Sequence, residues 1–89
     1  MEEIKKQYLL LLSEIIAIEA VVLGPIAILK AKNIPGLDVD NNGKAVDVKG
    51  DMAEAVKVLV DVYMELSSRA TGGVIDLIFQ KYPQIHRIK

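Results

Sequence analysis

Residues 8–30 read YLLLLSEIIAIEAVVLGPIAILK, and this stretch decides how the chain folds. Thirteen of these residues are Leu, Ile or Val, which raises the question of a membrane-spanning helix. Those aliphatic side chains favour insertion by roughly −6 kcal/mol in total, but Glu14 and Glu19 each oppose it by about 2.5 kcal/mol or more. Ser13 and the Gly24-Pro25 pair offset the favourable insertion free energy that remains. We therefore expect no membrane span and a cytoplasmic protein.

Apolar residues recur every three or four positions here and predict a long helix over residues 1–32. Pro25 has no amide proton to donate to the carbonyl of Val21, which predicts a kink near residues 24–25. The run Asn33-Ile34-Pro35-Gly36 ends the helix, because a residue that precedes proline avoids the helical region. The main apolar stripe of this helix comprises Ile4, Tyr8, Leu11, Ile15, Ile18, Val22, Ile26 and Leu29.

A β-hairpin is predicted over residues 37–48, where apolar and acidic residues alternate on both sides of an Asn-Gly pair. A two-residue turn at Asn42-Gly43 sets Val39 opposite Val46 and Leu37 opposite Val48. The four apolar side chains then share one face of the hairpin.

Two further helices are predicted after the hairpin. Asp51 is a candidate N-cap with Glu54 three residues later, and an amphipathic helix follows over residues 51–70. Thr71-Gly72-Gly73 is expected to break it. A short C-terminal helix then covers residues 73–82, and residues 83–89 form an extended or frayed tail. The predicted fold is one helix-dominated α+β domain in the order α-β-β-α-α.

The first helix carries a second apolar stripe, roughly 140° around the axis from the main one. A hairpin and one neighbouring helix cover only one stripe, and each side chain left exposed forfeits about 1.5 kcal/mol or more. We therefore predict a homodimer or higher homo-oligomer. The competing interpretation is that the third helix and the tail cover this stripe within one chain. The predicted interface residues are Leu9, Ile16, Ala20, Leu23 and Ala27.

Two glutamates interrupt the apolar pattern of the first helix. Glu14 falls on a narrow polar edge and is expected to face solvent. Glu19 falls between the two apolar stripes, where the partner subunit's Lys5 or Lys30 could reach it. Their spacing of five residues points them in different directions, so they are not expected to chelate one ion.

A candidate cation site lies in the hairpin. The sequence DVDNNG at residues 38–43 matches the first half of a calcium-binding loop. The match then fails, because Lys49 stands where such a loop carries a bidentate Glu. The hairpin register nevertheless places Asp38 opposite Asp47 with Asp40 on the same side, so these three are candidate ligands for Ca²⁺ or Mg²⁺. A polar hairpin face without an ion is the favoured alternative.

A candidate anion site lies at the start of the last predicted helix. Backbone amides at a helix N-terminus can bind a phosphate or carboxylate group. Two glycines between helices are more often only a turn. The residues concerned are Arg69, Thr71, Gly72 and Gly73.

The composition argues against most enzyme classes and against nucleic-acid binding. The chain has no Cys, one His (His86, in the predicted tail) and a formal net charge of −1. Nucleophilic and acid–base catalysis need more fixed partners than these residues supply, and no basic face is present for nucleic acid.

We therefore expect a small non-enzymatic module that associates with itself, or with another protein, in assembly or regulation. No cofactor is expected. The alternative is a small-ligand or divalent-cation binding domain that uses the Asp-rich hairpin or the Gly72-Gly73 helix start.

Overall fold

The computed structural model describes residues 2–83 and residue 85, apart from the side chains of residue 2 and residues 67–74. The elements in chain order are α1 (Glu2–Leu23), α2 (Ile26–Lys32), β1 (Leu37–Val39), β2 (Ala45–Val48) and α3 (Met52–Gln80). The predicted α+β class is confirmed. Among the described residues, none of the helices combines the length and hydropathy that a membrane crossing requires.

The first predicted helix is two helices that reverse direction at Gly24-Pro25. Gly24 ends α1 in the left-handed conformation, at φ +80°, and its amide donates to the Ala20 carbonyl at 2.9 Å. A Cβ atom added to Gly43 would lie 3.2 Å from Ile16 and 3.1 Å from Ile28. In one straight helix those two isoleucines would be about 18 Å apart. The α2 helix therefore folds back on α1, which is more than the predicted kink.

This reversal ends the predicted main stripe at the turn. Ile15 is fully buried, but Val22, Ile26 and Leu29 are 59%, 42% and 59% exposed. The assignment of Ile26 and Leu29 to the same stripe is wrong, because periodicity assigns side chains to faces only along one continuous helix axis. Val22 shares the axis of Ile15, but it lies in the last turn of α1 and is exposed there.

The predicted oligomer interface lies largely inside the protomer. Ile16 and Ala27 are 0% exposed and belong to the core. Leu9, Ala20 and Leu23 are partly buried and pack against that core. The prediction that this stripe needs a second copy is therefore wrong for Ile16 and Ala27. The fold-back of α2 and the packing of α3 on α1 bury these side chains within one chain.

The hairpin forms where predicted, with a different turn. Leu37 pairs with Val48 as expected, but a bulge shifts the register and Val39 pairs with Ala45. The predicted two-residue turn and the Val39–Val46 pairing are wrong, and Val46 is 49% exposed.

Asp40 explains the longer turn. Its backbone amide donates to the Lys44 carbonyl at 2.9 Å, so the loop holds three residues. Its carboxylate accepts the amides of Asn42 and Lys44, each at 2.9 Å. Gly43 takes the left-handed conformation, at φ +85°, that a three-residue loop of this kind requires.

Helix α3 begins at its predicted N-cap, since the Asp51 carboxylate accepts the Glu54 amide at 3.1 Å. The helix then continues through residues 72 and 73 to Gln80, so the predicted break at Thr71-Gly72-Gly73 is wrong. Glycine in a helix interior costs about 1 kcal/mol relative to alanine. Burial of Ile75, Ile78 and Phe79 after the glycines offsets that cost.

The predicted tail is partly ordered into the core. Ile85 is only 4% exposed, and its amide donates to the Tyr82 carbonyl at 2.9 Å. The expectation of an extended or frayed tail is wrong for this residue. Residues 84 and 86–89, including His86, lie outside the described part of the chain.

Polar contacts join the elements around the core. The Ser13 hydroxyl donates to the Leu9 carbonyl at 2.7 Å and accepts the Ala45 amide at 2.9 Å, which ties β2 to α1. The buried Tyr63 hydroxyl donates to the Ala27 carbonyl at 2.7 Å, which ties α3 to α2. Burial raises the pKa of Tyr63.

Candidate functional site: two apolar surfaces

Two of the three candidate aspartates in the hairpin, Asp40 and Asp47, are already hydrogen-bonded within the chain. The Asp40 carboxylate caps the turn, and that of Asp47 pairs with Lys5 at 2.5 Å and accepts the Val48 amide at 2.9 Å. The hydrogen bond from Lys5, and then that from Val48, hold the pKa of Asp47 below its ordinary value. Asp38 lies opposite Asp47 as predicted. Within the described residues, no group of three or more His, Cys, Asp or Glu side chains could hold a metal ion.

The candidate anion site loses the feature on which it depended. A helix was expected to begin at Gly72-Gly73, whereas α3 passes through both residues. Backbone amides in a helix interior donate to carbonyls one turn earlier, so they do not point at a ligand. The side chains of Arg69 and Thr71 lie outside the described part of the structure.

Glu14 and Glu19 both contact other parts of the protomer, although the Glu14 side chain is still 35% exposed on the predicted polar edge. Glu14 accepts hydrogen bonds from the Tyr82 hydroxyl at 2.9 Å and from the Lys81 ammonium at 3.2 Å, so it joins α1 to the end of α3. Burial, together with Glu14, raises the pKa of Tyr82 to about 12. Glu19 is 1% exposed and lies within the protomer, so a lysine of a second copy cannot reach it.

A groove runs between α2 and the first half of α3. Two adjoining hollows form it, with volumes of about 580 and 290 Å³, and they share Ile34, Pro35 and Val58. Val58 and Val62 are half-buried, and Leu66 is 43% exposed. We call this surface the α2–α3 groove, with a floor of Ile34, Pro35, Val58, Val62 and Leu66.

The two rims of the α2–α3 groove carry opposite charges. Lys30 on α2 and Lys49 in the segment before α3 form one rim. Glu54 and Glu65 on α3, with Asp51 at its N-cap, form the other. These glutamates are eleven residues apart (65 − 54), close to three full helical turns, so they project from the same side of α3. The groove is thus apolar along its floor, basic on one side and acidic on the other.

A second apolar surface lies at the reversal between α1 and α2. Val21 is 87% exposed, more than any other large hydrophobic side chain in the described part of the chain, and Val22 is 59% exposed. Pro25 and Ile26 continue this surface across the turn, and Leu29 lies one helical turn further on. We call it the apolar tip, composed of Val21, Val22, Pro25, Ile26 and Leu29.

The sequence held a signal for each surface. Val58, Val62 and Leu66 repeat every four residues, a spacing that places them along one side of a helix. Residues 20–29, AVVLGPIAIL, contain no charged or polar side chain. Neither signal predicted an exposed surface at these positions, because the pattern alone does not show where neighbouring elements stop covering a helix.

Comparisons of this chain with protein-family models, with curated proteins and with solved structures found no match.

Proposed function

We propose that this chain is a small non-enzymatic module that self-associates, and that the α2–α3 groove is the contact between copies. The observation that supports this proposal is the arrangement of the groove, an apolar floor between a basic and an acidic rim. A surface of this kind can be complementary to itself, as the two-fold contact in a homodimer requires.

The charges select one orientation for the pair. A two-fold axis along the groove places Lys30 against the partner's Glu65, and Lys49 against the partner's Glu54. A two-fold axis across the groove would instead bring rims of like charge together, which is unfavourable. The first arrangement pairs Lys30 and Lys49 of each copy with acidic residues of the other, and it shields both apolar floors from bulk solvent.

The groove fits a weak and reversible dimer. Its valines are already half-buried, so association removes less apolar surface from water than full burial of exposed side chains would. Association also costs translational and rotational freedom. We therefore expect a dissociation constant on the order of micromolar, as for small transient interfaces.

The alternative of a divalent-cation or small-ligand domain has less support. Asp40 and Asp47 already accept hydrogen bonds from the protein, and an incoming cation would have to displace Lys5 from Asp47. The helix start at Gly72-Gly73 is not present.

Sedimentation velocity of the intact chain over a concentration series tests self-association. The expected result is a monomer–dimer equilibrium that Leu66→Glu weakens about a hundredfold, because the substitution places a carboxylate on the apolar floor. Leu77→Glu is the matched control, since Leu77 is a 62% exposed leucine of the same helix outside the groove. A wild-type chain that stays monomeric at concentrations on the order of 100 µM would overturn the proposal. Equal weakening by both substitutions would also overturn it.

A further inference from the structure

The apolar tip differs from the α2–α3 groove in shape and in charge. It protrudes at a helix reversal, whereas the groove is concave. The α1 helix, at 22 residues, is about 32 Å long. The longest dimension of the molecule is also 32 Å, so the end of α1 that carries Val21 and Val22 lies at the periphery.

The charged residues of the segment that carries the tip are all positive, although Glu65 of α3 lines the same hollow as Lys30. Between Glu19 and Asp38 the charged residues are Lys30 and Lys32, both in the last turn of α2. Both lysines are exposed. The Lys32 ammonium also donates to the side chain of Asn41. An exposed apolar surface followed directly by lysines matches the chemistry of an anionic lipid headgroup layer above hydrocarbon.

Several backbone amides at the tip donate hydrogen bonds within the chain. The Gly24 amide donates to Ala20 at 2.9 Å, and the Ala27 amide donates to Gly24 at 3.1 Å. The amides of Ile28 and Leu29 donate to the Pro25 carbonyl at 3.1 and 3.3 Å. Pro25 itself has no amide proton. The carbonyl of Val21 receives no hydrogen bond from Pro25, so the insertion has to be shallow enough for water or a lipid headgroup to donate to it.

We propose that the apolar tip docks on an anionic membrane surface. Val21, Val22 and Ile26 enter the region between headgroups and acyl chains, and Lys30 and Lys32 lie at the level of the lipid phosphates. The insertion is shallow and peripheral, in the manner of interfacial amphipathic helices. This proposal does not depend on self-association through the groove.

Co-sedimentation with vesicles tests the proposal, using phosphatidylcholine alone and an equal mixture of phosphatidylcholine and phosphatidylglycerol. The wild-type chain is expected to bind the anionic vesicles more strongly. The double variant Val21→Ser/Val22→Ser is expected to bind them about tenfold more weakly, because both substitutions remove exposed aliphatic surface. Lys32→Gln is expected to weaken binding about fivefold, the value of one lysine at an anionic surface.

Leu77→Ser is the matched control, since it removes an equally exposed aliphatic side chain far along α3. It should bind vesicles like the wild type, as should Leu66→Glu, which alters only the groove. The proposal is overturned if the wild type does not sediment with anionic vesicles, or if the tip variant and Leu77→Ser behave alike. It is equally overturned if the tip variant retains vesicle binding and loses self-association, which would make the tip a contact between proteins.

Discussion

Replacing Ile16 with alanine is expected to lower the free energy of unfolding by about 3 kcal/mol. Ile16 is 0% exposed, and its Cγ2 lies where α2 and the hairpin turn meet α1. Removing three carbons there loses their burial and leaves a cavity, because the backbone of Gly43 and the side chain of Ile28 can close only part of it. Urea denaturation at two protein concentrations measures the effect.

The control for Ile16→Ala is Val21→Ala, at a residue of the same helix that is 87% exposed. It is expected to change the free energy of unfolding by less than about 0.5 kcal/mol. If Ile16 instead lay between subunits, its substitution would weaken association, and the loss of stability would grow on dilution. A concentration-dependent effect of that kind would contradict the core position of Ile16.

Replacing Gly36 with alanine is expected to cost about 3 kcal/mol or more, since two effects combine. Gly36 has a φ of +82°, which is strained for any residue with a Cβ atom. That Cβ would also lie 2.6 Å from the Lys49 carbonyl oxygen. Relief is difficult, because the Lys49 amide donates to the Gly36 carbonyl at 2.7 Å and holds the two backbones together. Thermal or urea denaturation gives the loss.

Gly24→Ala separates the two causes. Gly24 has nearly the same φ, +80°, but a Cβ added there meets no atom within 4 Å. It is therefore expected to cost only about 1 kcal/mol, the strain of the left-handed conformation alone. Equal losses for the two variants would show that the close approach of Lys49 to Gly36 does not constrain the fold.

Local sequence signals predicted the types and most boundaries of the elements. Three features that depend on neighbours within a few positions lie where expected. They are the Asp51 N-cap, the two strands that flank the hairpin turn, and the end of the last helix before Pro83. The register slip at Val39 came from one competing local interaction, the Asp40 carboxylate that caps a three-residue turn. The continuous α3 shows tertiary burial overriding the low helix propensity of two glycines.

The reversal at Gly24-Pro25 had the largest consequence for the predicted site. Periodicity gives the angle of a side chain around a helix, but it does not show whether the axis continues. Because α2 folds back on α1, the side chains of Ile16 and Ala27 are buried in the core. Those of Val22 and Ile26 are exposed at the surface. Together with the packing of α3 on α1, this reversal places residues of the predicted interface inside the protomer.

The α2–α3 groove could not be predicted from local patterns. Its rims take Lys30 from α2, Lys49 from the segment after the hairpin and Glu65 from the middle of α3. Only the packed structure brings these residues together. Val58 and Val62 were recognisable as apolar helix positions, but their half-exposure depends on how far α2 extends along α3.

Mixing two charge-reversal variants tests the groove contact most directly. Lys30→Glu and Glu65→Lys should each be monomeric alone, because each places like charges opposite one another across the two-fold contact. Mixed in equal amounts they should form a heterodimer in sedimentation velocity, since both contacts then pair opposite charges. Lys57→Glu is the control, since Lys57 pairs with Asp61 on an exposed face of α3 outside the groove, and this variant alone should dimerise like the wild type. If the Lys30→Glu and Glu65→Lys mixture remains monomeric, or if each variant alone dimerises like the wild type, the α2–α3 groove is not the contact between copies.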